Sequence, residues 1–312
     1  MMIVKLMGGL GNHMFIYAFA RAYSLKSGEK IVFWDSQFGE QKHGNDSTLL
    51  ELNIDSDTAA FISKDDAFSY DRSFRQLEFR TVCYLVKNMP RKNPKLWKKM
   101  LKFLEPVFNK RGYVITNNEL VNLDKLKGDI KYAYGYFQNA GYFSSYSDII
   151  RNELRVKANA GLNSFKPADA NFKVYSAIIR SESVCVHVRR GDYIGSSVSD
   201  NICDAAYFKR GIMYIKEHIQ NPIFFVFSDS PDAAHSILKC NDANFVFVNN
   251  GNRAHEDLML MYSCKHFIIS NSSFSWWAQY LGNFEKKMVI APKRWNRNDS
   301  ERSLYLNNWI LL

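Results

Sequence analysis

Residues Ser183 to Tyr193 read S-V-C-V-H-V-R-R-G-D-Y. The apolar, β-branched run from Val184 to Val188 has the character of a strand buried on both faces, and Arg189, Arg190, Gly191 and Asp192 follow where that strand should end. In open parallel α/β sheets ligands bind just beyond the carboxyl ends of the strands. Two adjacent guanidiniums there point to an anion, with phosphate the best match to their forked donors. His187 and Asp192 stand where they could orient the arginines or act on a substrate. The plainer reading is a salt-bridged strand end whose arginines face solvent.

Downstream of this stretch the α/β pattern repeats. A loop rich in Gly and Ser leads to a helix over Ala205–His218, and a strand over Ile223–Phe227 ends in Ser228-Asp229. Val246 and Phe247 suggest another strand, Glu256–Tyr262 a helix, and His266–Ile269 a strand that runs into S-N-S-S-F-S-W-W at 270–277. One serine would cap the helix that follows. Here Ser270, Asn271, Ser272, Ser273 and Ser275 cluster, which favours a cradle of hydroxyl and N–H groups for phosphate oxygens over simple capping. Asp229 ends a strand of the same sheet and would face the same crevice, where a carboxylate suits a ribose or a guanine edge.

The chain opens with a second such unit. Ile3–Met7 reads as a strand, Gly8-Gly9-Leu10-Gly11-Asn12 as a tight turn, His13–Ser27 as an amphipathic helix and Lys30–Trp34 as a strand closed by Asp35. Gly9, Gly11 and Asp35 also fit part of the dinucleotide-binding fingerprint, so a nicotinamide-dependent oxidoreductase is the alternative reading, but Met14 stands where its third glycine belongs. Asp55-Ser56-Asp57 has metal-binding D-x-D spacing without supporting ligands and is read as chance. Tyr132–Phe143 packs aromatics around Gly135 and Gln138, as either a pocket wall or a core cluster would. The Ala, Gly, Asn, Ser and Pro of Ala158–Ala168 read as an interdomain connection, which gives domains at 1–160 and 161–312 with the last residues free to pack back on the first.

Composition bounds the function classes. With 46% hydrophobic and 23% charged residues in 312, the chain is globular and excludes disordered and fibrous classes. No apolar run approaches the roughly 20 residues of a membrane span, and Met1–Gly11 lacks the features of a signal peptide, so a cytoplasmic location is expected. Five scattered cysteines without C-x-x-C spacing indicate neither a disulfide framework nor a zinc site. The net charge of +10 favours polyanionic partners. Much of it lies in Arg91–Leu104, read as one helix in which Lys95, Lys98, Lys99 and Lys102 interleave with Leu96, Trp97, Met100 and Leu101. Such a helix could contact the inner membrane surface peripherally, although a core stripe with solvated lysines explains it more simply. No nucleic-acid-binding motif accompanies it.

Six motifs together resemble the bacterial α1,2-fucosyltransferases, glycosyltransferase family 11: G-G-L-G-N at Gly8–Asn12, G-Y-F-Q at Gly135–Gln138, H-V-R-R-G-D-Y at His187–Tyr193, F-F-V-F-S-D at Phe224–Asp229, the run from Asp257 to Trp277, and V-I-A-P-K-R-W at Val289–Trp295. They occur in family order along nearly the whole chain. The resemblance implies a GT-B-type α/β fold, two Rossmann-like domains with parallel sheets facing across a cleft. It also implies metal-independent, inverting transfer of fucose from GDP-fucose to the 2-hydroxyl of a galactose-terminated glycan such as an O-antigen, a capsule or an oligosaccharide. By position, Arg189 would contact the β-phosphate, with Asp192 and His187 also at the catalytic centre. Arg190, Asp229, Asn271, Ser272, Ser273 and Phe274 would hold the donor, and Gly11 and Asn12 would approach it from the other domain. His13, Ser230 and His235 depart from the family pattern and bear on the acceptor and on nucleotide contacts. A noncatalytic glycan-binding protein on the same scaffold is a further alternative.

Overall fold

The computed structural model describes residues 1–35, 48–55, 57–63, 77–92, 94–116, 130–161, 163, 165–166, 168–191, 202–239, 242–296 and 302–312. The chain divides into two compact units. The first comprises Met1–Leu50 and Ile54–Glu153, and the second Glu51–Asn53 and Leu154–Leu312.

In the first unit, strands β1 (Met2–Lys5), β2 (Ile31–Asp35), β3 (Ala59–Ser63), β4 (Tyr113–Ile115) and β5 (Tyr132–Tyr134) form a parallel sheet in the order β3-β2-β1-β5-β4. The opening βαβ pattern dictates this arrangement, because parallel neighbours need a crossover helix between them. That helix spans Leu10–Ser27 and stops at Gly28, which takes the left-handed conformation at φ 74°. It is not amphipathic in the expected sense, since every side chain from Met14 to Ala20 is fully buried. The aromatic segment after β5 packs on it, with Phe137 stacked on Phe19 at 3.8 Å and Phe143 at 6.4 Å from Phe15. Below this layer Glu153 accepts the Tyr17 hydroxyl at 2.8 Å and takes Nε and Nη2 of Arg21 at 3.0 and 2.8 Å. Burial and the Glu153 charge push the Tyr17 phenol above its ordinary range.

The basic stretch expected as one helix is helical at its described residues, in the segments Leu77–Lys92 and Pro94–Lys110, with residue 93 outside the described residues. Both helices contribute to one core cluster that spans the sheet, in which Val82, Val86, Trp97 and Leu101 join Ile3, Val32, Ile62, Tyr113, Ile115 and Tyr132.

The second unit is a six-stranded parallel sheet in the order β11-β10-β9-β6-β7-β8. Its strands are β6 (Glu182–Val188), β7 (Pro222–Ser228), β8 (Asn244–Val248), β9 (His266–Ile268), β10 (Val289–Ala291) and β11 (Ile310–Leu311). Val184, Val186 and Val188 lie in the core with Phe224, Val226 and Ile268, as continuous apolar runs in parallel strands require. The last residues join this sheet: β11 pairs with β10, and Trp309 stacks on Trp295 at 6.1 Å. At the start of the Ala254–Tyr262 helix, Asp257 accepts from Asn252 at 2.7 Å, Asn252 from Asn171 and Asn171 from Asn250, each at 2.8 Å. Burial pushes the Asp257 carboxyl up to about 6.

Candidate active site

In the second sheet β6 has β7 and β8 on one side and β9 on the other, so successive connections leave β6 and return beside it. The carboxyl ends of β6 and β9 are therefore a topological switch point, where connecting loops diverge and leave a crevice. The two informative stretches of the sequence stand there: Arg189–Gly191 follows β6, and Ser270–Phe274 follows β9.

The arginine loop is held by Asp229, just past the tip of β7. Its Oδ1 accepts the Arg190 N–H at 2.9 Å, its Oδ2 accepts the Gly191 N–H at 3.0 Å, and Nη1 of Arg189 lies 3.0 Å from the same Oδ2. A Cβ at position 191 would stand 2.5 Å from Oδ2, so only glycine allows the carboxylate to approach. Asp229, expected near a ribose or base, thus uses both oxygens on the loop. Next to it, Ser228 Oγ donates to the Val188 carbonyl at 2.7 Å and joins the tips of β6 and β7. Arg190 is partly buried, and its Nε has no hydrogen-bond partner and no exposure to solvent. Its positive charge lowers the Cys203 thiol, but burial dominates there and pushes the thiol up to about 12.

His187 is 4% exposed and bonded twice to Ser270. Ser270 Oγ donates its one proton to the His187 carbonyl at 2.9 Å, so the 3.0 Å contact with Nδ1 must be donated by the imidazole. The ring is then the Nδ1–H tautomer. Burial, and secondarily the Arg189 charge, push its pKa down to about 3. A group so weakly basic is suited to joining the β6 and β9 tips rather than to taking a proton at neutral pH.

The serine cluster divides into struts and an accessible rim. Ser272 caps the Ser273–Leu281 helix by accepting from the Phe274 N–H at 3.3 Å, and Ser275 Oγ reaches the Ser270 carbonyl at 3.1 Å. Asn271, expected to contact a donor, is buried, with its Nδ2 on the Trp295 carbonyl at 3.0 Å and its Oδ1 3.6 Å from Cys203 Sγ. Ser273 and Phe274 remain partly exposed at the helix N-terminus, and the Phe274 ring lies 5.8 Å from that of His187. Of the residues expected from sequence, the structure therefore gathers His187, Arg189, Arg190, Asp229, Asn271, Ser272, Ser273 and Phe274 at one edge. Asp192 lies outside the described residues. Ser270, read from the sequence as part of the cradle, is bonded to His187, and Gly191 is the addition, inside a motif that the sequence marks.

The first sheet repeats the logic. Its switch point lies between β1 and β5. Beyond β1, Gly8 adopts φ 78° and a Cβ there would stand 2.3 Å from Nδ2 of Asn12. Gly11 is buried in the first turn of the helix, as is His13, the residue after Asn12. Beyond β5, Phe137 takes a left-handed φ of 50° and is followed by Gln138, whose Nε2 donates to Asn12 Oδ1 at 2.7 Å. The aromatic segment is thus both a core cluster and the support that delivers Gln138 to the glycine turn. Asp35 ends β2 as expected. Asp55 turns back on itself, its Oδ1 accepting from the Asp57 N–H at 3.0 Å, and among the described residues no cluster of three or more His, Cys, Asp and Glu has metal-binding geometry.

The family model described as glycosyl transferase family 11 matches residues 1–312. This chain belongs to glycosyl transferase family 11. The family 11 chain is 28% identical to an O-antigen biosynthesis glycosyltransferase, WbnK, of Escherichia coli over 98% of its own length and 99% of that protein's. It is 29% identical to an α-1,2-colitosyltransferase of Escherichia coli, over 94% and 91% of the two chains. Among solved structures, the fucosyltransferase NodZ from Bradyrhizobium superposes with a TM-score of 0.53 at 11% identity over 89% of this chain and 91% of that one. This places the two parallel-sheet units in the GT-B class. Family membership makes the chain a glycosyltransferase and displaces the oxidoreductase reading of Gly9, Gly11 and Asp35.

Proposed function

We propose that this glycosyltransferase moves L-fucose from GDP-β-L-fucose to the 2-hydroxyl of a terminal galactose on a glycan such as an O-antigen, with inversion and without a metal ion. The observation that carries the reading is the arginine loop at the switch point: Arg189 is pinned to Asp229, and Arg190 keeps a buried Nε with no partner. Buried donors without acceptors are costly, and a ligand phosphate would satisfy them.

In this reading the acceptor oxygen attacks the anomeric carbon from the face opposite the β-phosphate, the bond from that carbon to the phosphate oxygen breaks, and GDP departs with an added negative charge. Arg189 faces that charge. A fixed, forked guanidinium can do what a divalent ion does elsewhere, and loss of one well-placed donor of this kind typically costs a factor of roughly 100 to 1,000 in rate. Arg190, Ser273 and Phe274 hold the nucleotide side. Asp192, adjoining Gly191 in sequence, is the candidate acceptor of the hydroxyl proton; an unchanged pH–rate profile in Asp192→Asn would remove it from that role.

A second reading shares every step but changes the donor. The near full-length relationship to an α-1,2-colitosyltransferase favours a 3,6-dideoxy sugar, which is fucose without its 3-hydroxyl. One experiment separates these. GDP release is measured in EDTA with GDP-fucose and with GDP-colitose, using β-galactosides and their 2-deoxy analogues as acceptors, for wild type and Arg189→Ala. The proposal expects EDTA-resistant release with GDP-fucose that requires the acceptor 2-hydroxyl and falls at least a hundredfold in the variant. Preference for GDP-colitose selects the second reading. Release abolished by EDTA, or indifferent to the 2-hydroxyl, refutes the metal independence or the linkage respectively, and glycan binding without release from either donor would leave the noncatalytic alternative.

A further inference from the structure

The Pro94–Lys110 helix carries two apolar faces: one joins a core cluster of the described residues, and the other is exposed. Trp97 and Leu101 are buried, and Met100 and Phe108 pack against the same core cluster. On another side Leu96 is 51% exposed, Phe103 81% and Val107 46%. At 3.6 residues per turn these three side chains fall within about 40° of one another, so they form a continuous stripe along the helix. Lys99, Lys102 and Lys110 are all exposed, and they flank that stripe on the side away from the core. Tyr84, on the preceding Leu77–Lys92 helix, is 61% exposed. Scattered exposed apolar residues are ordinary; three aligned ones edged by lysines, in a chain of net charge +10, are not.

We propose that this face is a docking surface for an anionic lipid bilayer, lying in the plane of the headgroups with Leu96, Phe103 and Val107 turned into the acyl boundary. The arrangement is that of an interfacial helix: apolar side chains in line, cations beside them at headgroup height, and no length of apolar helix able to span. Among the described residues no helix is long and apolar enough to cross a membrane. Charge complementarity selects the occupant. A protein partner or a second copy would leave the three ammonium groups to be matched one by one. An anionic leaflet matches them collectively and adds a place for the Phe103 ring that water does not offer. The proposal does not depend on the donor or acceptor assigned above, since none of these residues belongs to the arginine loop or to the Asn12 turn.

The test is flotation of the full chain with vesicles of phosphatidylcholine alone and of phosphatidylcholine with 40% phosphatidylglycerol (about a typical anionic content) at low and at physiological salt. Expected is partition onto the anionic vesicles that weakens with salt. Each of Lys99→Gln, Lys102→Gln and Lys110→Gln should lower the partition coefficient about fivefold at low salt. Phe103→Ser should lower it roughly tenfold or more at either salt. All four positions are exposed, so circular dichroism and GDP release with a soluble galactoside should be unchanged, which separates failure of the surface from failure of the fold or of the proposed reaction. No flotation with anionic vesicles at low salt, equal flotation with neutral vesicles, or wild-type flotation of Phe103→Ser would each overturn the proposal. So would a Phe103→Ser variant whose only change is the loss of self-association, because that outcome assigns the stripe to a second copy.

Discussion

Asp229→Asn is the substitution that the site geometry predicts most sharply. The carboxylate makes three contacts with the arginine loop, to Arg190 N–H at 2.9 Å, Gly191 N–H at 3.0 Å and Arg189 Nη1 at 3.0 Å. An amide of the same shape retains one oxygen and so one backbone acceptor, but turns an NH2 toward the other donors. The pair with Arg189 is about one-third exposed on the arginine side, so its loss is worth about 1 kcal/mol, and the lost charge-assisted backbone bond adds about 1.5 kcal/mol. If the loop is competent only when clamped, a total of roughly 2–3 kcal/mol appears in the transition state and lowers kcat about 30- to 150-fold. The assay is GDP release under saturating acceptor, with Arg189→Ala and the double variant alongside. Because Asp229 acts through Arg189, the double variant should be scarcely slower than Arg189→Ala alone. Gly191→Ala should reproduce the Asp229→Asn defect, since its methyl displaces the same carboxylate oxygen. Asp229→Asn with more than half of the wild-type kcat, or losses that simply multiply in the double variant, would refute the clamp.

Three further outcomes follow from the packing. Gly8→Ala forces φ 78° on an alanine and its methyl into Asn12, so it should cost about 1–3 kcal/mol in urea unfolding, whereas Gly9→Ala, whose Cβ would meet nothing within 4 Å, should cost less than 1 kcal/mol; equal losses would remove the argument. Arg21→Met strips the largely buried guanidinium from Glu153 and should destabilise by about 3–5 kcal/mol, with most of that recovered when Glu153→Leu and Tyr17→Phe are added, since Tyr17 also donates to Glu153; a larger loss in the triple variant would contradict the ion-pair account. The folded Asp257 carboxyl ionises near 6 and the unfolded one near 4, so the unfolded state loses its proton first and stability falls as pH rises between these values. Above pH 6 Asp257→Asn should therefore gain about 2 kcal/mol relative to wild type compared with pH 4, and a pH-independent difference in denaturant midpoint would show that the carboxyl is not buried neutral.

Much of the site was legible because its residues are adjacent in sequence and occupy strand ends. Charge cannot lie in the middle of a strand buried on both faces, so the change from Val184–Val188 to Arg189-Arg190 marks the tip of β6. The run 270–277 marks β9 and the cap of the next helix in the same way. The burial of Met14–Ala20 on all sides was not legible, because periodicity reports a preferred face only when some of the other faces meet water.

The sequence by itself determined the alternation of strands and helices, the two glycine- and arginine-bearing turns, the family and the class of reaction. These depend on contiguous residues and on chemistry carried by residue type. Tertiary structure alone decided which carboxylate serves which donor. Asp229 is 38 residues from Gly191 and Ser270 is 83 from His187, and their meeting follows from β7 and β9 pairing with opposite edges of β6. It likewise supplied Asp229 and Asn271 with partners inside the protein, and left Phe103 in solvent beside its lysines. A hydrogen bond needs its partners within about 3 Å, and only the closed sheet brings distant strand tips that near.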